Sequence, residues 1–365
     1  MNKNLTAVLV VLLGFSWPAT GSALGEALAW IPAAIEEPTV AFTDWAAIKA
    51  EAGVPWLTGQ ASLDVKTTFL RRIDQDHSAA SAFGLFHLAA HAETWGFDST
   101  DLVWEVQISG HGIPPSYVLK LREDLDLIAV LARFEERGFT RTAAHGGAIY
   151  SRAIDPSLDW VRTTELSIHN TGVLESERVL ILSSSYPVVE LVLATRAGDL
   201  PGLTEVDAAT ALAGVLEDSL SALVMIGAST CLHFSHNPML DLIGAPVDDT
   251  AIDALRAWLD SEEPLHGYAG LGVGYCHDDG RPIGTIAFAY PSADDAVHDL
   301  EARRLLAEQG ASRGAEAPIS EVLFTVQDAS VDDATIVMTV RPANDQPRRL
   351  FQMIWTADAP FAACR

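Results

Sequence analysis

Basic residues are few in this sequence, and their scarcity excludes one class of partner. The chain of 365 residues has 23 Lys and Arg side chains against 49 Asp and Glu side chains, which gives a formal net charge of −26. Such a surface repels phosphate backbones and anionic lipids, because nucleic-acid binding depends on cationic side chains that neutralise phosphates. We therefore expect no nucleic-acid partner and interpret the acids, which are spread along the chain, as a solvated surface.

Cysteine is also scarce, with three in the chain, so a disulfide-rich scaffold is excluded. An odd number of cysteines in an oxidising compartment indicates one bridge and one unpaired thiol. We expect Cys231 to pair with Cys364, which would fix the carboxyl terminus, and Cys276 to stay unpaired in a strand. The pairing of Cys231 with Cys276 is the alternative.

Long apolar runs are missing after the first residues. A membrane-spanning helix needs roughly 20 apolar residues, and no later segment reaches that length. The beginning, MNKNLTAVLVVLLGFSWPATGSALG, has Lys3, an apolar run and then small residues, as secretory signals do. We expect cleavage after Ala23, with Ala27 as second choice, and a mature chain that is secreted or associated with the cell envelope. An uncleaved membrane anchor is the alternative.

The remaining pattern divides the chain into three parts. Residues 24–98 read as mostly helical, whereas residues 99–217 and 218–365 each read as two strands, a helix and further antiparallel strands. This repetition predicts an α+β fold in which a helical amino-terminal section, 24–98, precedes a duplicated antiparallel-sheet module. We expect the helices to pack on one face of the sheet.

Two helices have clear boundaries in the sequence. FTDWAAIKAEAG, residues 42–53, is typical of a helix with Thr43 as its amino-terminal cap. SADDAVHDLEARRLLAEQG, residues 292–310, predicts a helix that begins at the cap Ser292. Arg303 lies late in that helix, where the helix dipole favours a cation.

Strand patterns dominate the second half. Alternate glycines in GLGVGY, at 270, 272 and 274, share one face of a strand, so another element can approach closely there, and the helix at 292–310 is the candidate. These glycines do not open a helix, unlike those of a dinucleotide-binding turn. HDDGRP contains an Asp-Gly pair that predicts a tight hairpin. RLFQMIW, residues 349–355, predicts the last strand.

One resemblance adds to this interpretation. LARFEERGFTRTAAHGGAIYSRA followed by SERVLILSSSYPVVELVLATRAG resembles a group of uncharacterised secreted bacterial proteins with domains of unknown function. The shared features are a helix, a glycine-containing hairpin that ends in Ile149-Tyr150, and a strand ending at Ser183 to Ser185 before a further helix. The resemblance covers about a quarter of the chain. It implies an extracytoplasmic α+β module and carries over no catalytic residue.

The clearest candidate site lies in FGLFHLAAHAETWG, residues 83–96. His87 and His91 are four residues apart, so on a helix they share one face, as zinc-binding histidines do. Helical zinc proteases carry a Glu directly after the first His, but Leu88 stands there in this chain. We keep His87 and His91 as candidate metal ligands, with zinc, or calcium bound by nearby acids, as the ion.

The sequence lacks the local signatures of common hydrolases. GASRG, residues 310–314, matches G-x-S-x-G, but it follows a helix pattern and does not join a strand to a helix as a nucleophile elbow does, and Cys276 precedes acidic rather than basic residues. The first hypothesis is therefore an exported, non-enzymatic binding or envelope-associated protein without a cofactor, whose ligand is a protein or a small molecule. The alternative is an exported metal-dependent hydrolase that uses His87 and His91.

Overall fold

Twelve antiparallel strands form one continuous sheet in the computed structural model, which describes residues 22–76, 88–153, 169–227, 230, 265–312 and 314–363. Two further short strands pair with each other. In chain order the strands are β1 Thr39–Asp44, β2 Leu102–Gly110, β3 Ile113–Leu121, β4 Thr140–Ala144, β5 Gly147–Ser151, β6 Asn170–Leu174, β7 Val179–Ser183, β8 Ser221–Ile226, β9 Gly270–Asp278, β10 Arg281–Ala289, β11 Ala311–Ser312, β12 Ala317–Pro318, β13 Phe324–Asp332 and β14 Thr335–Pro342.

Ten α-helices accompany these strands in the described part of the chain. In chain order they are α1 Ala23–Leu28, α2 Trp45–Glu51, α3 Leu63–Asp76, α4 Leu88–Trp95, α5 Leu127–Glu136, α6 Tyr186–Arg196, α7 Asp207–Val215, α8 Ala293–Gln309, α9 Ile319–Val322 and α10 Arg348–Trp355. Helices and a large antiparallel sheet together make the fold α+β, as the sequence predicts.

The strand from the amino-terminal section lies in the middle of the sheet. β1 pairs with β2 on one side and with β8 on the other, and Thr43 stands opposite both Glu105 and Ser221. Outward from β1 the order is β2, β3, β7, β6, β5 and β4, and outward from β8 it is β9, β10, β14 and β13. On each side of the β1–β8 pair the sheet therefore continues in the same way. A hairpin comes first (β2–β3 or β9–β10), then the last strand of that half of the chain (β7 or β14), and then the strand that precedes it in sequence (β6 or β13).

Helices cover both faces of the sheet, so the prediction of helices on one face is wrong. Val40 and Phe42 of β1 face a core shared with α1, α6 and α7, whereas Ala41 faces the core that contains the other long helices. Strands with two buried faces are apolar at successive positions rather than at alternate ones. VLILS of β7, in which all five residues are buried, has this pattern.

The glycine row in β9 permits close packing, as the sequence indicates, but against a different helix. A Cβ atom added at Gly272 would stand 2.8 Å from Cδ1 of Leu216, and one at Gly270 would stand 2.9 Å from Cδ1 of Leu212. Both leucines belong to the region of α7. Helix α8, at 293–309, packs on the opposite face, with Ala296 in the other core.

The predicted helix boundaries hold at α8 and fail at α2. Ser292 caps α8 by accepting a hydrogen bond from the backbone N–H of Asp295, at 3.2 Å. Thr43 does not cap α2, because it is the penultimate residue of β1. Asp44 takes that role, and its carboxylate accepts a hydrogen bond from the N–H of Ala47 at 2.8 Å.

The last element is a helix, so the prediction of a strand at 349–355 is wrong. The buried side chains of α10 follow helical spacing, which lets one face pack against the sheet. These side chains are Leu350, Phe351, Met353 and Ile354. Phe, Ile and Trp favour strands, and this propensity hid the helical period.

In the described ranges, no helix combines the length and the apolar character that crossing a membrane requires. Residues 1–21 of the predicted signal peptide lie outside those ranges. The predicted boundaries at residues 98 and 217 stay predictions.

Candidate functional site

The predicted metal pair is only half described, because His87 lies outside the described residues. His91 is buried in α4, and its Nδ1 atom lies 2.7 Å from the carbonyl oxygen of Phe97. The two rings also meet edge to face, with their centroids 4.8 Å apart. These contacts join α4 to the turn that follows it. Metal binding by His87 and His91 stays a prediction.

Cys231 and Cys364, the predicted disulfide pair, also lie outside the described residues. Cys276 is a free, half-buried thiol near the end of β9. Burial raises the pKa of this thiol, and the negative charges of Asp218 and Glu51 raise it further. Cys276 is therefore held in its thiol form and is a poor nucleophile.

Five charged side chains form a buried network at the start of β2. We name it the Asp98 cluster, and its members are Lys49, Lys66, Asp98, Asp101 and Arg122. Asp98 accepts hydrogen bonds from Nζ of Lys66 at 2.7 Å and from the N–H of Thr100 at 2.9 Å. Asp101 accepts hydrogen bonds from Nε of Arg122 at 2.8 Å and from the N–H of Gly59 at 2.9 Å.

Lys49 completes the Asp98 cluster. Its ammonium group donates to the carbonyl oxygens of Thr100, at 2.9 Å, and of Leu102, at 3.1 Å. Loss of hydration on burial lowers the pKa of Lys49 to about 8, although the carboxylates of Asp101 and Asp98 oppose that effect. The cluster thus ties α2 and the loop at residue 59 to the beginning of β2.

A second buried network surrounds Asp299 in α8. We name it the Asp299 cluster, and its members are His266, Tyr290, His298, Asp299 and Arg303. Oδ2 of Asp299 accepts hydrogen bonds from the Tyr290 hydroxyl at 2.9 Å and from the backbone N–H of His266 at 2.8 Å. Oδ1 lies 3.0 Å from Nδ1 of His266 and 2.8 Å from Nδ1 of His298.

Arg303 anchors the carboxyl-terminal segment within this cluster. Its guanidinium donates to the carbonyl oxygens of Phe361 at 2.8 Å, Ala363 at 2.6 Å and His266 at 3.1 Å. It also lies over the ring of Tyr268, 4.9 Å from the ring centroid. The sequence predicts Arg303 as a favourable cation late in a helix, and the structure places its side chain fully buried. Its role is therefore to hold the chain end.

The Asp299 cluster reaches solvent through its two imidazoles. About 42% of the His266 side chain and 40% of the His298 side chain are exposed, whereas Asp299 is fully buried. The two rings meet edge to face with centroids 4.5 Å apart. Oδ1 of Asp295 lies 3.5 Å from Nε2 of His266. Two imidazoles beside a carboxylate are a donor set that suits zinc.

Part of the Asp299 cluster leaves a signal in the sequence, although we did not predict the cluster from it. Ala296, Asp299, Arg303 and Ala307 follow one another at spacings of three or four, so two charged residues lie in the stripe of α8 that faces the core. A charged pair in a buried stripe signals a special environment. No local spacing points to His266, which is 33 residues from Asp299.

An open cavity of about 340 Å³ lies between α2, α3 and the turn from β9 to β10. Apolar side chains and charged or polar ones both line it, and they include Ile48, Ile73, Leu220, Glu51, Arg72 and His277. Nδ1 of His277 lies 2.6 Å from a carboxylate oxygen of Glu51, so these two side chains form one polar edge.

The chain matches no protein-family model and no curated protein. Among solved structures, crystal form I of TP0453 is similar with a TM-score of 0.34 and 9% identity, covering 92% of this chain and 99% of that one. Crystal form III of TP0453 gives a TM-score of 0.34 and 9% identity, covering 91% of this chain and 97% of that one. Aspartate kinase from Synechocystis gives a TM-score of 0.14 and 10% identity, with 91% and 55% covered. Similarities at these TM-scores and identities do not indicate a function.

Proposed function

We propose that this protein is an exported, non-enzymatic binding protein, and that a small molecule binds in the cavity between α2, α3 and the β9–β10 turn. The cavity is the observation that carries the proposal. Its volume of about 340 Å³ falls in the range of ligand sites, and apolar and polar side chains line it in similar measure. Ile48 and Leu220 supply apolar surface, and Arg72 supplies a cation.

The charged edge of the cavity suggests the chemistry of the ligand. Arg72 offers a guanidinium, whereas the carboxylate of Glu51 is already in contact with His277. An amphiphilic molecule with an apolar body and one anionic group fits these features, because an arginine fork binds carboxylates and similar anions well.

The two buried clusters support a non-enzymatic role. In the Asp98 cluster, Lys49 and Lys66 both donate to backbone carbonyl oxygens. Arg303 of the Asp299 cluster does the same for two carbonyls near the chain end, those of Phe361 and Ala363, and for the carbonyl of His266. Buried charges that hold backbone segments in place stabilise a fold, and they need no substrate to satisfy them.

Export rests on the amino-terminal sequence, and the packing of α1 bears on the cleavage position. Leu24 and Ala27 are both fully buried in the core that contains α1. A cut after Ala27 would remove Leu24 from that core, so the packing favours cleavage after Ala23. The mass of the exported protein from cells that express the full chain would identify the first residue.

The proposed disulfide between Cys231 and Cys364 gains support from their described neighbours. The hydroxyl of Tyr268 lies 2.5 Å from the carbonyl oxygen of Thr230 and 2.7 Å from that of Ala362. Thr230 directly precedes Cys231, and Ala362 is two residues before Cys364. Peptide mapping of the unreduced protein should find these two cysteines joined and Cys276 alone.

The duplicated module also stays a proposal, and the strand order supports it. Each side of the β1–β8 pair continues as hairpin, last strand and preceding strand, with a helix after the hairpin. Such an arrangement is expected from two copies of one unit, and β1, from the section before residue 99, pairs with β8, the first strand of the second copy. The alternative function, a hydrolase based on His87 and His91, stays a prediction because His87 lies outside the described residues.

Binding of 8-anilinonaphthalene-1-sulfonate tests the proposed ligand site, because this fluorescent probe joins apolar rings to an anionic group. Wild type should bind one molecule saturably. Ala52→Trp, which places an indole in the cavity, should abolish binding, and Arg72→Gln should weaken it several-fold. Arg71→Gln, on the neighbouring helix position that does not line the cavity, is the matched control.

Near-UV circular dichroism would show that each variant keeps its fold, so that probe binding to a loosened core is recognised. Equal binding by wild type, Ala52→Trp and Arg72→Gln would contradict the proposal. So would an Arg71→Gln effect as large as that of Arg72→Gln.

A further inference from the structure

Two histidines and a carboxylate converge where the entry to β9 meets α8. His266, His298 and Asp299 each offer one donor atom, and these three atoms lie within 4.8 Å of one another. We propose that these residues bind a divalent metal ion of the zinc type through Nδ1 of both imidazoles and Oδ1 of the carboxylate. This site is separate from the predicted pair His87 and His91 and from the proposed ligand cavity.

The distances are close to those that zinc requires. Zinc binds His nitrogen and carboxylate oxygen at about 2.0–2.2 Å in tetrahedral geometry, so its donor atoms stand roughly 3.3–3.5 Å apart. Oδ1 of Asp299 lies 3.0 Å from Nδ1 of His266 and 2.8 Å from Nδ1 of His298. Relative to Oδ1, each imidazole nitrogen therefore has to move outward by about half an ångström, and the three donor atoms lie within 4.8 Å of one another. Both imidazoles are half-exposed and face solvent, so this movement meets little resistance.

The carboxylate is already fixed in the orientation that leaves one oxygen for the ion. Oδ2 of Asp299 is held by the Tyr290 hydroxyl and by the N–H of His266, and Arg303 lies on the same side at 3.6 Å. Oδ1 has only the two imidazole nitrogens as partners among the hydrogen bonds of the described residues. A ligand held by other hydrogen bonds in this way loses little entropy when the metal binds.

A fourth residue supports the tautomer that metal binding requires. When Nδ1 of His266 binds the ion, the ring carries its proton on Nε2 instead. Oδ1 of Asp295 lies 3.5 Å from that Nε2 atom and can accept this proton in a hydrogen bond. Carboxylates that accept from the second ring nitrogen are the usual partners of metal-bound histidines. The solvent-facing side of the imidazoles leaves room for water as the fourth ligand.

Zinc titration of the chelator-treated, full mature chain tests this proposal. Competition with a chromophoric chelator should show one saturable site per chain, and Co²⁺ should give the strong visible bands of a tetrahedral complex. His298→Ala and His266→Gln should each weaken binding by more than about 100-fold, since both remove a ligand. Asp295→Asn should weaken it by about 10–100-fold, the usual effect of losing an outer hydrogen-bond partner.

Two variants provide matched controls. His145→Gln removes another exposed histidine that contacts a single carboxylate, Asp199, at 2.8 Å, and it should leave zinc affinity unchanged. His87→Ala should also leave the stoichiometry at one. The proposal is overturned if wild type shows no saturable site, if His298→Ala binds as tightly as wild type, or if zinc is lost in His87→Ala instead. His298→Ala alters an exposed side chain, so the test remains decisive if His266→Gln does not fold.

Discussion

The Asp98 cluster and the Asp299 cluster both bury carboxylates and cations beside the same sheet, yet they differ in their access to solvent. In the Asp98 cluster, the side chains of Lys66 and Asp98 are 6% and 0% exposed, and Lys49 is as deeply buried. In the Asp299 cluster, a fully buried carboxylate lies beneath two imidazoles that face solvent. The first cluster is closed, and the second is open on one side.

This difference separates two uses of buried charge. A closed cluster loses hydration for every member, so it is stable only when each charge keeps its partners. An open cluster retains groups that can exchange a partner with solvent or with an ion, because imidazole nitrogens at the surface still contact water. Removing a residue should therefore be costly in the Asp98 cluster and mild at the surface of the Asp299 cluster.

The largest effect is expected from Asp98→Ala. This change takes the carboxylate away from the buried ammonium of Lys66, which keeps its hydrogen bond to the carbonyl oxygen of Gly59, and it removes the acceptor for the N–H of Thr100. Breaking a buried ion pair in this way costs about 3–5 kcal/mol of unfolding free energy. Urea denaturation would measure it. Asp124→Ala is the control. Asp124 also pairs with an arginine of the cluster, Arg122, but its side chain is exposed, so we expect little change in the free energy of unfolding. Equal losses of unfolding free energy in Asp98→Ala and Asp124→Ala would refute the distinction between buried and exposed charges.

An intermediate effect is expected on the free energy of unfolding when pH is raised, and it appears as a difference between wild type and Lys49→Met. Since burial lowers the pKa of Lys49 to about 8 from 10.5, the unfolded chain binds more protons between those values. Wild-type stability should therefore rise with pH across this window relative to Lys49→Met, by up to about 3 kcal/mol at roughly 1.4 kcal/mol per pKa unit. Urea denaturation of both proteins from about pH 7.5 to 10.5 would check it, and parallel profiles would argue against a buried ammonium.

The smallest effect is expected from His298→Ala, measured in the presence of chelator. Asp299 keeps its hydrogen bonds from Tyr290 and from both donors of His266, so only one partly exposed contact is lost. We expect a loss of about 1 kcal/mol or less, typical of one hydrogen bond. Thermal and urea denaturation would measure this difference. A loss as large as that of Asp98→Ala would mean that the second cluster is as closed as the first.

Local signals in the sequence predicted the elements that depend on local chemistry. The Asp279-Gly280 turn joins β9 to β10 as expected, with positive φ at both residues, because this pair suits the type of turn that hairpins favour. Ser292 begins α8 for a similarly local reason. By contrast, β1 was missed because its six residues run directly into α2, and only pairing with β2 and β8 makes them a strand.

The candidate site was harder to predict because its members are joined through space. His266 meets Asp299 only after the chain has folded β9, β10 and α8 into contact, so no short spacing encodes the cluster. The spacing of His87 and His91 is local, and it predicted a metal site for that reason. Sequence periodicity could have exposed Asp299 and Arg303, which share the buried stripe of α8 with Ala296 and Ala307.

The central position of β1 bears on how the protein is made. Its two partners come from distant parts of the chain, and the Ser221 hydroxyl bonds the Phe42 carbonyl across 179 residues. During synthesis, β1 can pair with β2 long before β8 exists, so one side of the growing sheet presents unsatisfied N–H and C=O groups in the meantime. Contacts of such long sequence separation slow folding, and an open strand edge invites pairing with other chains. We therefore expect a chain that ends before about residue 225 to leave one edge of β1 open to pairing with other chains.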